Sequence, residues 1–201
     1  MSSPPVEQAR EHLRTLSRAA LNAADSIAEE IVELAHVAAL AINGGGKLMF
    51  CGNGGSAADA QHLATEYVVR FTADRDGLPA IALTTDTSLL TAAANDLGFE
   101  QVFARQVRAL GRRGDVLFLH STSGRSPNLI AAADAARERG VISIALLSAR
   151  GGALRERVDR AVLVPTELGA TTQELQLAIG HIICSLVESQ VGQEHGVVSE
   201  P

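Results

Sequence analysis

Cysteine is scarce in this chain. There are two, Cys51 and Cys184, far apart and outside any C-x-x-C arrangement, too few for a disulfide framework. Long apolar runs are missing as well: no segment approaches the roughly 18 apolar residues of a membrane-spanning helix. The opening MSSPPVEQAREHLRT carries acidic and basic residues with no apolar stretch behind it, unlike a secretory signal or a transit peptide. The cytoplasm is therefore the expected compartment. An excess of positive charge is also lacking. The formal net charge is -6, with charged residues spread along the chain, so no basic patch marks nucleic acid as a ligand. There is no internal repeat, low-complexity tract or proline-rich linker. What is present is 201 residues, 46% of them hydrophobic, the size of one globular domain with a sizeable buried core.

From about 6 to 42, apolar residues recur at helical spacing (Ile27, Ile31, Leu34, Val37, Leu40), with Glu29, Glu30 and Glu33 on other faces. This predicts one long helix or two in series. After Gly44-Gly45-Gly46 the pattern changes to five short apolar runs, KLMFCG, LPAIALTT, DVLFLHS, VISIALLS and RAVLVPT. Separated by helix-like stretches such as AADAQHLATEYVV and SPNLIAAADAARERG, they read as buried parallel strands alternating with helices. The expected core, about 47 to 191, is thus an open, doubly wound α/β sheet covered on both faces. The segment from Gln173 to Val191 reads as a closing helix, and 192 to 201 as a loose tail.

In such a sheet, ligands bind beyond the carboxyl ends of the strands, and two motifs stand there. In CGNGGS, Gly52, Gly54 and Gly55 allow a ligand close to the backbone, and Ser56 with Asp59 forms a capping signature. Taken alone, these residues read first as a tight turn with an ordinary N-cap. The turn lacks both G-x-G-x-x-G spacing and the Lys-Ser/Thr of a P-loop, which argues against a dinucleotide or a nucleoside triphosphate. In HSTSGRSPN, Ser121, Thr122, Ser123 and Ser126 precede a helix with Pro127 at its first position and Ser126 as N-cap. Free amides at a helix start attract an anion, and the extra hydroxyls suit a phosphate monoester. Capping alone would need only one of them. Arg125 either adds charge there or points into water.

The titratable groups form a third candidate. His62 and Glu66 leave the same face of one helix, and Gln173 and His181 return to roughly one face of the last. Within LAIGHIICSL, His181 is either a hydrogen-bonded core histidine or a functional group. A His/Glu/His constellation binds zinc or shares acid-base work.

Taken together, CGNGGSAADAQH, LATEYVVRF, PAIALTTDTSLLTAAANDLGFEQVFARQV, GDVLFLHSTSGRSPN and QELQLAIGHIICSLVE resemble the phosphoheptose isomerases, a branch of the sugar isomerase (SIS) domain family, from about Ala23 to Glu188. The resemblance implies a five-stranded parallel sheet and a homotetramer with active sites where subunits meet. It also implies interconversion of sedoheptulose 7-phosphate and D-glycero-D-manno-heptose 7-phosphate, with zinc in many members. Position by position, it makes Asn53, Gly54 and Gly55 the substrate-binding turn, and Asn95 and Asp96 sugar-hydroxyl contacts. Ser121, Thr122, Ser123 and Ser126 become the phosphate loop. His62, Glu66, Gln173 and His181 become the metal set, with Glu66 and Gln173 also touching substrate, and Glu66 and His181 the acid-base pair. Family members often carry Asn where Arg125 stands, Arg-Ile where Thr171-Thr172 stand and His where Gln176 stands, which bears on the identity of the sugar. SIS domains also serve as non-catalytic sugar-phosphate sensors, and one relative binds a replication initiator. That relative lacks the final-helix histidine, so Glu66 and His181 favour an enzyme. A third reading is an isomerase for another long-chain ketose phosphate in specialised metabolism.

Overall fold

The computed structural model describes residues 3–191; the expected tail at 192–201 lies outside them. Two helices in series open the chain, α1 (Pro4–Ser26) and α2 (Ala28–Asn43). They are separated at Ile27, whose φ of -131° leaves the helical range while its side chain stays buried. A five-stranded, wholly parallel sheet follows: β1 (Leu48–Gly52), β2 (Ala80–Ala82), β3 (Val116–Ser121), β4 (Ile142–Ser148) and β5 (Arg160–Val164). Its order is β2-β1-β3-β4-β5. The connections supply α3 (Gly55–Val68), α4 (Thr87–Leu97), α5 (Val102–Leu110) and α6 (Pro127–Arg139), and α7 (Gly169–Val191) closes the fold. The last helix starts four residues before the expected Gln173, because Thr172 N–H already bonds the Leu168 carbonyl at 2.8 Å.

The apolar character of the three central strands is explained by burial on both faces of the sheet. Alternate side chains point to opposite sides. Leu48, Phe50, Val116, Phe118, Ile144 and Leu146 join the core under α1, α2, α3 and α7. Met49, Cys51, Leu117, Leu119, Ala145 and Leu147 join the core under α4, α5 and α6. Strand order reverses between β1 and β3: the chain leaves β1 towards β2, then crosses back to β3 on the other side. A crevice opens at such a reversal beyond the carboxyl ends of the strands. The Asn53-Gly54-Gly55 turn leaves β1 at that point and the hydroxyl loop leaves β3 beside it, since Gly52 pairs with His120.

Candidate active site

The turn after β1 works differently from a capped helix start. Gly54 takes φ 57° and ψ -120°, a conformation side chains disfavour, and serves as the cap itself; no side chain caps α3. The Ser56/Asp59 capping box is therefore not formed. Ser56 is buried and its hydroxyl instead receives Gln173 Nε2 from α7, at 3.4 Å. A β-carbon at Gly55 would fall 2.5 Å from that same Nε2, so the missing side chain is what lets Gln173 lie over the turn. Gln173 and the turn thus lie together.

Asn53 ties the turn to the next motif. Its amide donates to Asn128 Oδ1 at 2.9 Å and receives Asn128 Nδ2 at 2.8 Å, a reciprocal pair on the first turn of α6 with Asn128 buried. The hydroxyl loop preceding α6 keeps Pro127 at the first helical position and Ser126 as N-cap, but the Ser126 side chain makes no capping bond. Two of the hydroxyls brace the loop: Ser121 Oγ accepts Gly124 N–H at 3.0 Å and Ser123 Oγ accepts Arg125 N–H at 3.3 Å. Their own hydrogens stay available, and no hydrogen bond within the described residues uses the Thr122 or Ser126 hydroxyl. Gln176 fastens the loop to α7, its Nε2 donating to the carbonyls of Leu146 at 2.6 Å and Ser121 at 3.3 Å. Next to Ser121, His120 is fully buried with neither ring nitrogen hydrogen-bonded. Burial drops its pKa to about 4, so it is neutral and belongs to the wall against Phe50.

His62 and Glu66 on α3 meet His181 on α7. Their ligand-capable atoms all lie within 4.8 Å of one another. His62 Nε2 is 2.8 Å from His181 Nε2 and 3.3 Å from Glu66 Oε1. Two ring nitrogens so close require one to carry a proton and the other a lone pair, or both to face a shared cation. Desolvation, then the neighbouring His62, lower the His181 pKa, with Glu66 opposing. Phe71 stacks on the His181 ring, ring centroids 5.2 Å apart. Oxygen and imidazole donors at this spacing suit a metal such as zinc. His181 is therefore no isolated core histidine.

Asn95 and Asp96 fall elsewhere in the chain. They are exposed near the end of α4, bonded to each other at 2.7 Å, and Asp96 lines a separate cavity with Leu89, Ala92 and Arg105. No hydrogen bond among the described residues links them to the histidine cluster or the hydroxyl loop. Sequence reasoning missed Asn128, Phe71 and Glu188. Only Asn128 had a local signal, an amide directly after the serine-proline of a helix start. Glu188 is simply one of the two acids of the last helix until its partners are seen.

Known proteins share this sequence pattern and fold. A family model described as SIS domain matches residues 11–148, and the chain belongs to the SIS domain family. A phosphoheptose isomerase of Roseiflexus sp. is 51% identical over 169 residues, spanning 84% of this chain and 82% of that protein. One of Burkholderia pseudomallei is 49% identical over 173 residues, 86% and 88% of the two chains. A solved phosphoheptose isomerase from Francisella tularensis superposes with a TM-score of 0.90 at 33% identity, covering 93% of this chain and all of that one. Another from Neisseria gonorrhoeae gives 0.86 at 42% identity, with 91% and 98% covered. Within the SIS domain family the chain falls among the phosphoheptose isomerases.

Proposed function

We propose that the protein is an aldose-ketose isomerase that interconverts sedoheptulose 7-phosphate and D-glycero-D-manno-heptose 7-phosphate through an enediol. The observation that carries this is the meeting of Glu66 with His62 and His181, on α7 and on the helix that leaves the glycine turn at the strand-order reversal. Moving a carbonyl between C1 and C2 takes a proton from one carbon and returns one to its neighbour. Glu66 carries the carbon-bound proton, and His181 exchanges protons with the sugar oxygens. The Phe71 ring against His181 and the His62 nitrogen beside it fix the imidazole plane. Thr122, Ser123 and Ser126, with the first amides of α6, hold the phosphate, and that distant grip aligns the reacting carbons. Asn53 and Gln173 at the glycine turn contact the sugar chain.

His62, Glu66, Gln173 and His181 would hold zinc, the last through its imidazole and Gln173 through an amide oxygen. Bound there, zinc supplies polarisation of the carbonyl. An amide is an unusual zinc ligand, so modest affinity and partial occupancy after purification follow.

A homotetramer is part of the same reading. Helix α1 exposes Leu13 and Leu21 at 66% and 65%, and an apolar groove of about 440 Å³ runs between α1, α2 and α7, lined by Ala24, Ile31, Val32, Ile179 and Ile182 among others. A second copy would cover it. Such assembly brings a neighbour's surface to each site and gives Asn95 and Asp96 a route to a substrate held by another subunit. No helix among the described residues is long and apolar enough to cross a membrane, and the cytoplasm is the proposed compartment. Incubation with a panel of seven- and eight-carbon ketose phosphates, with detection of aldose product, tests the function. Turnover of the seven-carbon ketose supports it; turnover confined to another ketose selects the specialised-metabolism reading, and turnover of none overturns the enzyme.

A further inference from the structure

A cavity of about 310 Å³ lies beyond the carboxyl ends of β3 and β4. Thr122, Ser123 and Arg125 of the hydroxyl loop form one wall; Ser148, Arg150 and Glu167 face them. The second wall is fixed against the first by backbone contact. Leu154 N–H donates to the Gly124 carbonyl at 2.8 Å. A β-carbon at Gly152 would sit 2.5 Å from the Ser123 carbonyl oxygen, and one at Gly124 would run into the Gly151 carbonyl; all three glycines have positive φ. Only glycine permits this approach. The turn carrying Arg150 therefore holds a set position relative to Ser123, although the two lie in different strand-to-helix connections.

The Arg150 guanidinium meets Glu167 at 2.5 Å, Nη2 to Oε2, with the side chains 67% and 53% exposed. A pair so open to water adds little to stability. Its placement at the rim, with Arg125 on the opposite wall, leaves Glu167 as the one carboxylate among the described lining residues, beside three hydroxyls and two guanidinium groups. A phosphate dianion competes well for an arginine held by one exposed carboxylate, because its oxygens accept a bidentate pair of N–H bonds. We propose that Arg150 is a further substrate-binding residue, kept at the cavity wall by Glu167 until the phosphate of the sugar takes its guanidinium. This rests on the reading of the hydroxyl loop as the phosphate site. It makes the β4–β5 connection a determinant of preference for phosphorylated over free ketoses.

The test compares Arg150→Ala, Glu167→Gln and Ser123→Ala with the parent enzyme, using sugar phosphate as substrate and inorganic phosphate as competing inhibitor. Arg150→Ala is expected to raise KM about tenfold with kcat within about twofold, and to weaken phosphate inhibition in parallel. Glu167→Gln, which removes the competing carboxylate, is expected to tighten phosphate inhibition about threefold. Melting temperatures identify any variant that fails to fold, and Arg150→Lys, which keeps the charge, should recover part of the loss. If Ser123→Ala raises KM while Arg150→Ala leaves KM and phosphate inhibition unchanged, Arg150 is only a solvated rim charge and the proposal falls with the loop reading intact. If neither substitution matters, the loop is not the phosphate site and both readings fall.

Discussion

Glu188 offers the sharpest test of how the site is held. Its carboxylate lies on α7 with the side chain only 3% exposed. It accepts the backbone N–H groups of Phe71, Thr72 and Ala73, the Thr72 hydroxyl and Arg75 Nε, all between 2.8 and 3.1 Å. Arg75 in turn donates to the carbonyls of Glu66 and Tyr67. One carboxylate thus pins the segment after α3 to α7, and with it Phe71 against His181. Burial alone would push the Glu188 pKa up, but the backbone bonds from Thr72 and Phe71 and the remaining donors outweigh it, bringing the value from 4.5 down to about 2. That difference corresponds to about 3 kcal/mol between the charged and neutral forms. Glu188→Gln, a neutral group of the same shape, should therefore lose about 3 kcal/mol at pH 7, seen as a urea midpoint lower by about 1 to 2 M at fixed protein concentration. Because the folded pKa is depressed, the stabilisation is fully present above about 4.5 and disappears as pH falls through about 2, so parent and variant should converge in acid. A loss under about 1 kcal/mol at pH 7, or a gap that stays constant down to pH 2, would refute the reasoning.

Further outcomes bear on the chemistry and the assembly. Glu66→Gln and His181→Ala should each lose about 100- to 10,000-fold in kcat while remaining folded and oligomeric; near-normal turnover in either folded variant removes that residue from the mechanism. Ser123→Ala should raise KM about tenfold, a hydrogen bond to a charged group contributing about 1.5 to 3 kcal/mol, and free ketose should be a very poor substrate; equal turnover of free and phosphorylated sugar contradicts the loop assignment. Light scattering at micromolar concentration should give a tetramer, and a monomer would contradict both the covered groove and any sharing of sites.

The five strands were legible because each is a short, mostly apolar run, which burial on both sheet faces favours in the central β1, β3 and β4, while the edge strands β2 and β5 are only partly buried. His62 and Glu66 were legible from helical spacing, and the hydroxyl loop from an excess over what a cap needs. Ser56 misled because a serine followed by an acid three residues on resembles a capping box, whereas the glycine at 54 had already taken the cap and Ser56 turned inward to Gln173. Glu188, the Asn53–Asn128 pair and the contact of Gly152 with Ser123 were not readable, since each joins segments distant in sequence and carries no local pattern. The bend at Ile27 likewise has no glycine or proline to announce it.

The most direct measurement follows sedoheptulose 7-phosphate incubated with the purified protein in deuterium oxide, with products resolved by mass spectrometry and NMR. The account predicts an aldose heptose 7-phosphate carrying solvent deuterium at C2, formed by the parent enzyme and lost with Glu66→Gln. Absence of any aldose from folded parent protein, or equal formation by the Glu66→Gln variant, would contradict it.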